Sequence, residues 1–203
     1  MNKQIITAVF LFLGLTQVGA QTSNFLDNTS IEVAYGVASP STPSEHISRS
    51  NYVSFSNFLV GANYQFDELW GVRLSYAYHQ FVDKDQSNFG VNYNKLMAEA
   101  TFNVMQAIQK EKNPFDIVAH AGIGGTFAKS KFDDSKEEIY NAQIGLKPTY
   151  AVSDKFNIFA DITSVINFHQ DFGYNGLNVK ANGDRVTGNY MNVMIGVQYK
   201  LGN

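Results

Sequence analysis

The sequence predicts an all-β protein, an eight-stranded antiparallel up-and-down transmembrane β-barrel. Eight segments alternate between apolar and polar side chains with a period of two, which places one face of a strand in an apolar medium and the other in a polar one. The last of these segments reaches Leu201, two residues before the end of the sequence. The N-terminal residues have the pattern of a secretory leader, which would carry such a chain out of the cytoplasm.

Residues 1–20 are predicted to be a signal peptide that is removed before Gln21. Lys3 supplies a basic start, residues 5–15 form an apolar stretch, and small residues precede the cleavage site at Ala20. The apolar stretch is shorter than the roughly 20 residues that a membrane-spanning helix needs. An uncleaved anchor or a buried N-terminal helix is the alternative interpretation. Cleavage would leave residues 21–203 as one outer-membrane β-barrel domain.

Composition narrows the possible functions. The chain has 15 basic and 18 acidic residues and a formal net charge of −3, which offers no basic face to nucleic acid. It contains no cysteine, so disulfides, thiolate metal sites and a lipoprotein anchor are excluded. The mean hydropathy is slightly negative, which would suit a soluble protein, but a barrel turns only alternate residues to lipid.

Each predicted strand has one apolar face and is long enough, or nearly so, to cross a bilayer as a tilted strand, which takes about 9 to 11 residues. In chain order, each with part of its apolar face, the strands are about Ser30–Ala38 (Ile31, Val33, Tyr35), Tyr52–Phe66 (Phe58, Val60, Tyr64), Trp70–Phe81 (Val72, Leu74, Tyr76), Tyr93–Met105 (Leu96, Ala98, Phe102), Phe115–Phe127 (Ile117, Ala121, Ile123), Ile139–Val152 (Ala142, Ile144, Leu146), Phe156–Phe168 (Ile158, Ala160, Ile162) and Met191–Leu201 (Val193, Ile195, Val197).

The connections between the strands are predicted to alternate in length. Short turns are expected at 67–69, 106–114 and 153–155, and long polar loops at 39–51, 82–92, 128–138 and 169–189. Short turns at the periplasmic end and long loops outside are typical of outer-membrane barrels. Pro148 lies inside the sixth strand, where its missing N–H breaks a ladder bond, so a β-bulge is expected there.

Alternation alone does not tell which face of the barrel is apolar, since an eight-stranded lipocalin turns its apolar face inward. Aromatic side chains favour an apolar outer face, because they collect at the strand ends, where they would form belts at the membrane surfaces. The opposite face is rich in glycine, which suits a narrow, crowded lumen. A soluble β-barrel or sandwich is the alternative. The aromatic positions are Tyr64, Phe66, Trp70, Phe102, Phe115, Phe156 and Tyr199 at one end, and Tyr78 and Tyr140 at the other.

The polar faces carry four acidic and four basic side chains that would point into the lumen. Eight strands leave an interior just wide enough for side chains to fill, and enclosed charges are costly unless they are paired. The balance predicts an internal salt-bridge network that closes the lumen, with a gate or narrow ion path as the alternative. Lys200 and Glu32 are expected near each other at the periplasmic end. The eight residues are Glu32, Arg73, Lys95, Glu99, Asp116, Lys147, Asp161 and Lys200.

The C-terminal residues Gly196-x-x-Tyr199-x-Leu201 resemble the signal by which outer-membrane barrels are recognised for insertion, with Met194 where that signal usually has a polar residue. With its leader, eight strands and four long loops, the chain resembles the barrels of the OmpA N-terminal domain and OmpX kind. The resemblance implies the outer membrane of a Gram-negative bacterium, contact with outer-membrane lipid and lipopolysaccharide, and insertion by the barrel-assembly machinery. A monomer is expected.

The expected function is a structural and surface-contact role, similar to adhesion, in which the extracellular loops meet a surface ligand. The fourth loop contains Phe172, Tyr174 and Leu177, and exposed aromatic side chains on surface loops are common contact chemistry for adhesion or phage attachment. One alternative is a narrow pore or a channel for small hydrophobic solutes, as in the OmpW kind of barrel. Another is a barrel enzyme that modifies lipid A.

No catalytic, cofactor or metal site is predicted. The His46-x-Ser48 spacing is similar to that of lipid A deacylases, but it lies in the first loop instead of on a late strand. The other histidines are interpreted as lumen lining or solvated loop residues, and no two share ligand spacing on one strand. An acidic run in the third loop lacks calcium-loop spacing and is interpreted as a solvated tip. These residues are His79, His120, His169 beside Asp171, and Asp133, Asp134, Glu137 and Glu138.

Overall fold

A computed structural model describes residues 22–43, 48–108, 113–179 and 186–202 of the chain. The predicted signal peptide, with its cleavage site between Ala20 and Gln21, lies outside these residues. Eight antiparallel strands form one closed barrel, in which each strand pairs with its neighbours in sequence and the eighth closes onto the first. The strands are β1 Thr29–Thr42, β2 Ser54–Gln65, β3 Trp70–Val82, β4 Gly90–Asn103, β5 Phe115–Ser130, β6 Lys136–Ala151, β7 Phe156–Gln170 and β8 Val186–Lys200.

Three short helices accompany the strands: α1 Thr22–Asp27, α2 Val104–Ile108 and a 3₁₀ helix at Arg49–Tyr52. Within the described ranges, no helix is long and apolar enough to cross a membrane. The end of the barrel at which β1 begins and β8 ends is called the turn end, and the opposite end the loop end.

The alternation of side chains produces this architecture and confirms the predicted fold. Along β8, Met191, Val193 and Ile195 point outward and are exposed, whereas Asn192 and Met194 are buried inside. The same alternation holds around the barrel, so the outer wall is apolar and the inner wall mostly polar. A lipocalin has the opposite arrangement, and that alternative is wrong.

The strands extend further toward the loop end than the alternation predicted. β5 ends at Ser130 and β6 begins at Lys136, so only residues 131–135 connect them. The prediction of a long third loop is therefore wrong. Pairing continues here, as in Lys129 opposite Lys136, because the main-chain bonds of a ladder do not depend on the polarity of the side chains. The second loop is likewise reduced to 83–89.

Pro148 does not produce the expected bulge. Leu146 pairs with Ile162 and Thr149 with Phe159, which is the same register on both sides of the proline. Along its other edge, β6 pairs with β5 without a break. The missing N–H therefore interrupts the ladder toward β7 without inserting a residue into it.

Aromatic side chains surround the outer wall at the turn end. The ring centres of Trp70 and Phe102 lie 4.7 Å apart, and those of Phe156 and Tyr199 lie 5.7 Å apart. Aromatic rings are stable at the boundary between lipid and water. This set, called the turn-end belt, comprises Tyr64, Phe66, Trp70, Phe102, Phe115, Phe156 and Tyr199.

We expect the folded protein to be heat-modifiable, because a closed barrel has no unpaired strand edge at which detergent can begin to unfold it. Unheated and boiled samples should therefore migrate to different positions on an SDS gel. A variant that lacks residues 186–203 cannot close and serves as the control, with one position under both treatments. Identical migration of the full chain would contradict a closed barrel.

Candidate functional site

The inner wall converges on one guanidinium group. Arg73 faces the lumen from β3 and is buried, and it meets the carboxylate of Glu99 on β4. Arg73 Nε donates to Oε2 at 2.6 Å and Nη2 donates to Oε1 at 2.8 Å. The two residues lie opposite each other in the ladder, so the backbone register positions this two-pronged contact, a strong geometry for a guanidinium and a carboxylate.

The same guanidinium reaches across the barrel. Nη1 of Arg73 donates to Asp161 Oδ2 on β7 at 2.8 Å and to Glu32 Oε1 on β1 at 3.3 Å. Glu32 also accepts hydrogen bonds from Lys147 Nζ at 2.8 Å and from Asn63 Nδ2 at 3.0 Å. Side chains from six of the eight strands thus meet in the middle of the lumen.

His120, on β5, completes the cluster. Its Nδ1 lies 2.7 Å from Glu99 Oε1 and its Nε2 lies 3.3 Å from Asp161 Oδ1. Its Nδ1 also lies 3.0 Å from Arg73 Nη2. The ring fits because Gly145 faces it from β6: a Cβ there would lie 2.4 Å from His120 Nε2. We call Glu32, Arg73, Glu99, His120, Lys147 and Asp161 the ionic network.

Of the eight lumen charges that the sequence predicted, Lys95, Asp116 and Lys200 do not belong to the ionic network. Lys95 is buried in the lumen, where its Nζ donates to Gln143 Oε1 at 2.7 Å and lies 5.6 Å from the centre of the Tyr190 ring. Its positive charge is therefore met by an amide oxygen and an aromatic face.

Asp116 and Lys200 lie at the turn end, outside the network. Asp116 accepts a hydrogen bond from Asn103 Nδ2, and Lys200 is exposed. The expected contact between Lys200 and Glu32 is not formed. Two cations of the ionic network already share the Glu32 carboxylate, and an ammonium at the mouth of the barrel stays hydrated without a partner.

Four aromatic rings pack together in the lumen toward the loop end. Phe81, Tyr93 and Tyr190 point inward from β3, β4 and β8, Tyr174 enters from the fourth loop, and all four are fully buried. The ring centre of Phe81 lies 4.8 to 5.5 Å from those of the other three, in edge-to-face contacts, the arrangement that aromatic pairs favour. We call these four residues the aromatic plug.

The aromatic plug and the role of His120 were not predicted from the sequence. Phe81 and Tyr93 stood at the ends of predicted strands, and Tyr190 lay before the predicted start of β8. Extending the alternation by one or two residues would have placed all three rings inward. Tyr174 gives no such signal, because it lies in a loop whose path depends on the rest of the barrel.

Residues 171–179, called the lid segment, fold over the aromatic plug. Phe172 and Tyr174 are buried, so the prediction of exposed aromatic side chains here is wrong. These rings gain more by packing into the lumen than by facing water. The backbone N–H groups of Asp171 and Phe172 donate to the carboxylate of Glu137, which is buried instead of belonging to a solvated tip.

Backbone hydrogen bonds join the connections at the loop end into one rim. Gly90 N donates to Asn175 O of the lid segment at 2.9 Å, and Lys131 N donates to Gly90 O at 2.9 Å. Lys84 N donates to Asn51 O at 3.1 Å, which joins the second connection to the first. The described parts of these connections are therefore linked directly to one another.

The structure describes three of the four histidines that the enzyme hypothesis considered. His46 lies outside the described residues, and Ser48 is exposed. His79 is buried with its Nδ1 3.2 Å from Asn57 Oδ1, and His169 is exposed at the end of β7. In the part of the chain that the structure describes, no three histidine, aspartate or glutamate side chains are grouped to hold a metal ion.

Replacement of Arg73 should destabilise the barrel strongly. R73M leaves three buried carboxylates without their shared partner, and breaking a buried ion pair costs about 3–5 kcal/mol. We expect the free energy of unfolding, measured by urea titration in lipid vesicles, to fall by about that amount. R73K should give an intermediate loss, because an ammonium group cannot reproduce the two-pronged contact with Glu99.

Glu138→Gln provides the matched control for these variants. Glu138 is a carboxylate on the exposed face of β6, so its replacement should change the free energy of unfolding by no more than about 0.5 kcal/mol. Equal stability of R73M and the unmodified protein would show that the ionic network does not hold the barrel together.

Comparisons with known proteins identify the fold. No protein-family model and no curated protein matches the sequence. Among solved structures, Neisserial surface protein A is similar with a TM-score of 0.61 and 11% identity, over 85% of this chain and 97% of that one. Ail, the attachment invasion locus protein of Yersinia pestis, is similar with a TM-score of 0.51 and 15% identity, over 84% of this chain and 96% of that one. The chain therefore has the fold of the eight-stranded outer-membrane barrels.

Proposed function

We propose that the protein is an integral outer-membrane barrel with a side-chain-filled lumen and a structural, surface-contact role at its loop end. The observation that carries this proposal is the double closure of the lumen, by the ionic network in its middle and by the aromatic plug toward the loop end. Eight strands leave no room beside such side chains for a wide pore. The surfaces that remain for function are the outer wall and the rim.

The outer wall supports a location in the outer membrane of a Gram-negative bacterium. Its face is apolar over most of the strands and ends in the turn-end belt, a pattern that matches a lipid bilayer. Contact with outer-membrane lipid and lipopolysaccharide is part of this proposal. A monomer is also part of it, because a closed barrel offers no free strand edge to a second copy.

The C-terminal residues support insertion by the barrel-assembly machinery. Tyr199 belongs to the turn-end belt, and Leu201 N donates to Thr29 O of β1 at 2.9 Å. Gly196 faces the lumen, where a Cβ would lie 2.5 Å from Phe159 Cζ, so a larger residue would not fit. The proposed insertion signal thus coincides with the strand that closes the barrel.

A pair of stacked rings on the rim, of which one is exposed, supports the surface-contact role. Phe89 and Phe132, from the second and third connections, stack with their ring centres 5.3 Å apart. Phe132 is 54% exposed and Phe89 is half-buried, and we call the two residues the exposed pair. The hydrogen bond from Lys131 N to Gly90 O holds these connections together. Rings that are held in place before binding lose little conformational entropy on binding. A protein of the same fold, Ail, bears a name that refers to attachment and invasion.

A narrow pore or a channel for small hydrophobic solutes is the second candidate. The observation in its favour is the apolar lining of the lumen toward the loop end. If the lid segment moved outward and took Tyr174 with it, the remaining rings of the aromatic plug would line an opening at this end. The ionic network would still lie below such a path and would have to rearrange before anything crossed the barrel.

We propose no enzymatic role. Two of the three described histidines are occupied in the lumen, His120 by the carboxylates of Glu99 and Asp161 and His79 by Asn57. Modification of lipid A would instead need a histidine and a nucleophile together at the membrane surface. We likewise propose that the protein needs no cofactor.

We expect the unmodified protein to show no steady conductance in planar lipid bilayers, because the ionic network and the aromatic plug close the lumen one behind the other. R73M weakens only the ionic network, and the pair F81A and Y174A removes only part of the aromatic plug, so neither variant should conduct. The three substitutions together should conduct. F66A, which removes a ring from the outer wall, is the control that should not conduct. Steady channels from the unmodified protein would favour the pore instead.

Replacing both rings of the exposed pair, in F89S/F132S, should weaken adhesion of bacteria that display the protein to a basement-membrane extract. We expect a loss of about tenfold, since truncating an important contact side chain typically costs more than about 1 kcal/mol. F55S is the matched control, because Phe55 is 66% exposed but lies on the outer wall. If bacteria with equal surface amounts of all three proteins adhere equally, the exposed pair is not the contact site.

A further inference from the structure

The short helix α1 lies against the outside of the barrel. The ring of Phe25 stacks on that of Tyr64, with ring centres 5.3 Å apart and planes inclined by 21°. Tyr64 points outward from β2 and belongs to the turn-end belt. Phe25 therefore extends the belt by one further ring, outside the wall and away from the lumen.

Several hydrogen bonds hold α1 in this place. Thr29 Oγ1 donates to Phe25 O at 2.6 Å, and Gln65 N donates to Asn28 O at 2.9 Å. The C-terminal segment packs on the same helix, since a Cβ at Gly202 would lie 2.2 Å from the Cα of Asp27. The position of α1 beside the belt is thus set at the turn end by the start of β1, the end of β2 and the residues that follow β8.

The helix leaves apolar side chains uncovered at this level. Phe25 is 45% exposed and Leu26 is 37% exposed. Their neighbours in the belt, Phe66 and Trp70, are exposed as well. Aromatic rings at the end of an apolar barrel wall mark the boundary between lipid and water. A short helix with aromatic and aliphatic side chains at that boundary lies in the plane of the membrane surface.

We propose that α1 is an interfacial anchor, which inserts Phe25 and Leu26 into the headgroup region of the phospholipid leaflet at the turn end. This inference rests on the proposed membrane location. The occupant of the exposed face is a lipid surface, because that face continues the turn-end belt without a break through the contact between Phe25 and Tyr64. The helix adds lipid contact beside the seam where β8 closes onto β1.

Fluorescence quenching in vesicles tests this proposal. Trp70 is the only tryptophan of the chain, so the fluorescence of the unmodified protein reports on the turn-end belt. F25W combined with W70F moves the indole to α1, and F132W combined with W70F moves it to the rim as a control. Each protein is reconstituted into phosphatidylcholine vesicles whose acyl chains carry bromine near the headgroup, and folding is checked by heat-modifiability.

We expect the indole introduced by F25W to lose fluorescence to the same extent as Trp70, and the indole introduced by F132W to lose none. Quenching of Trp70 without quenching in F25W would overturn the anchor but leave the membrane location intact. A folded protein whose Trp70 is not quenched would overturn the membrane location itself.

A second measurement avoids the aromatic substitutions. The chain has no cysteine, so L26C provides one attachment point for a nitroxide spin label on α1, and S87C provides a matched point in the second connection. On α1 the label should be more accessible to oxygen, which concentrates in lipid, than to a water-soluble nickel chelate. If the label at L26C were instead more accessible to the nickel chelate than to oxygen, as expected for the label at S87C, water or a soluble protein would cover α1 instead of lipid.

Discussion

The closure of β1 onto β8 is the constraint on which the rest of the structure depends. The pairing runs from Ser30 opposite Lys200 to Thr42 opposite Asn189, and it removes both edges of the sheet. Closing the sheet after eight strands also sets the width of the lumen, which only side chains can fill. Inward side chains in the middle of the barrel, such as Glu32 and Arg73, are therefore buried and need partners from the other strands.

The lumen meets this requirement with two kinds of chemistry. In the middle, Arg73 uses all three of its side-chain nitrogen atoms on carboxylates from three strands, and Lys147 adds a second cation at Glu32. Toward the loop end, the rings of the aromatic plug pack edge to face. Lys95 lies between these two regions, with its ammonium near the face of Tyr190, an arrangement that is favourable for a cation and for a ring.

Period-two alternation was enough to predict the strand number and which side chains share a face, such as Arg73 and Glu99, because parity depends only on the local chain. The apolar outer face was predicted from the aromatic side chains at the strand ends and from the glycine-rich opposite face. Alternation could not predict the contact between Arg73 and Asp161. β3 and β7 face each other across the lumen, and their relative height depends on the stagger of all the strands in the sheet. The loop end was predicted least well. Main-chain pairing continued past Lys129 regardless of polarity, and Tyr174 turned inward because a space between other rings was available to it.

The ionic network has a consequence for how the barrel assembles. The contact between Arg73 and Glu99 joins neighbouring strands and can form within one hairpin. The contact between Glu32 and Lys147 joins β1 to β6, which are not neighbours in the sheet and face each other only after the sheet has curled. Until that moment the carboxylate of Glu32 needs water in place of Lys147, although Asn63 on the neighbouring β2 is already within reach. The strands therefore come together around hydrated side chains. Water leaves the middle of the lumen only when β8 pairs with β1.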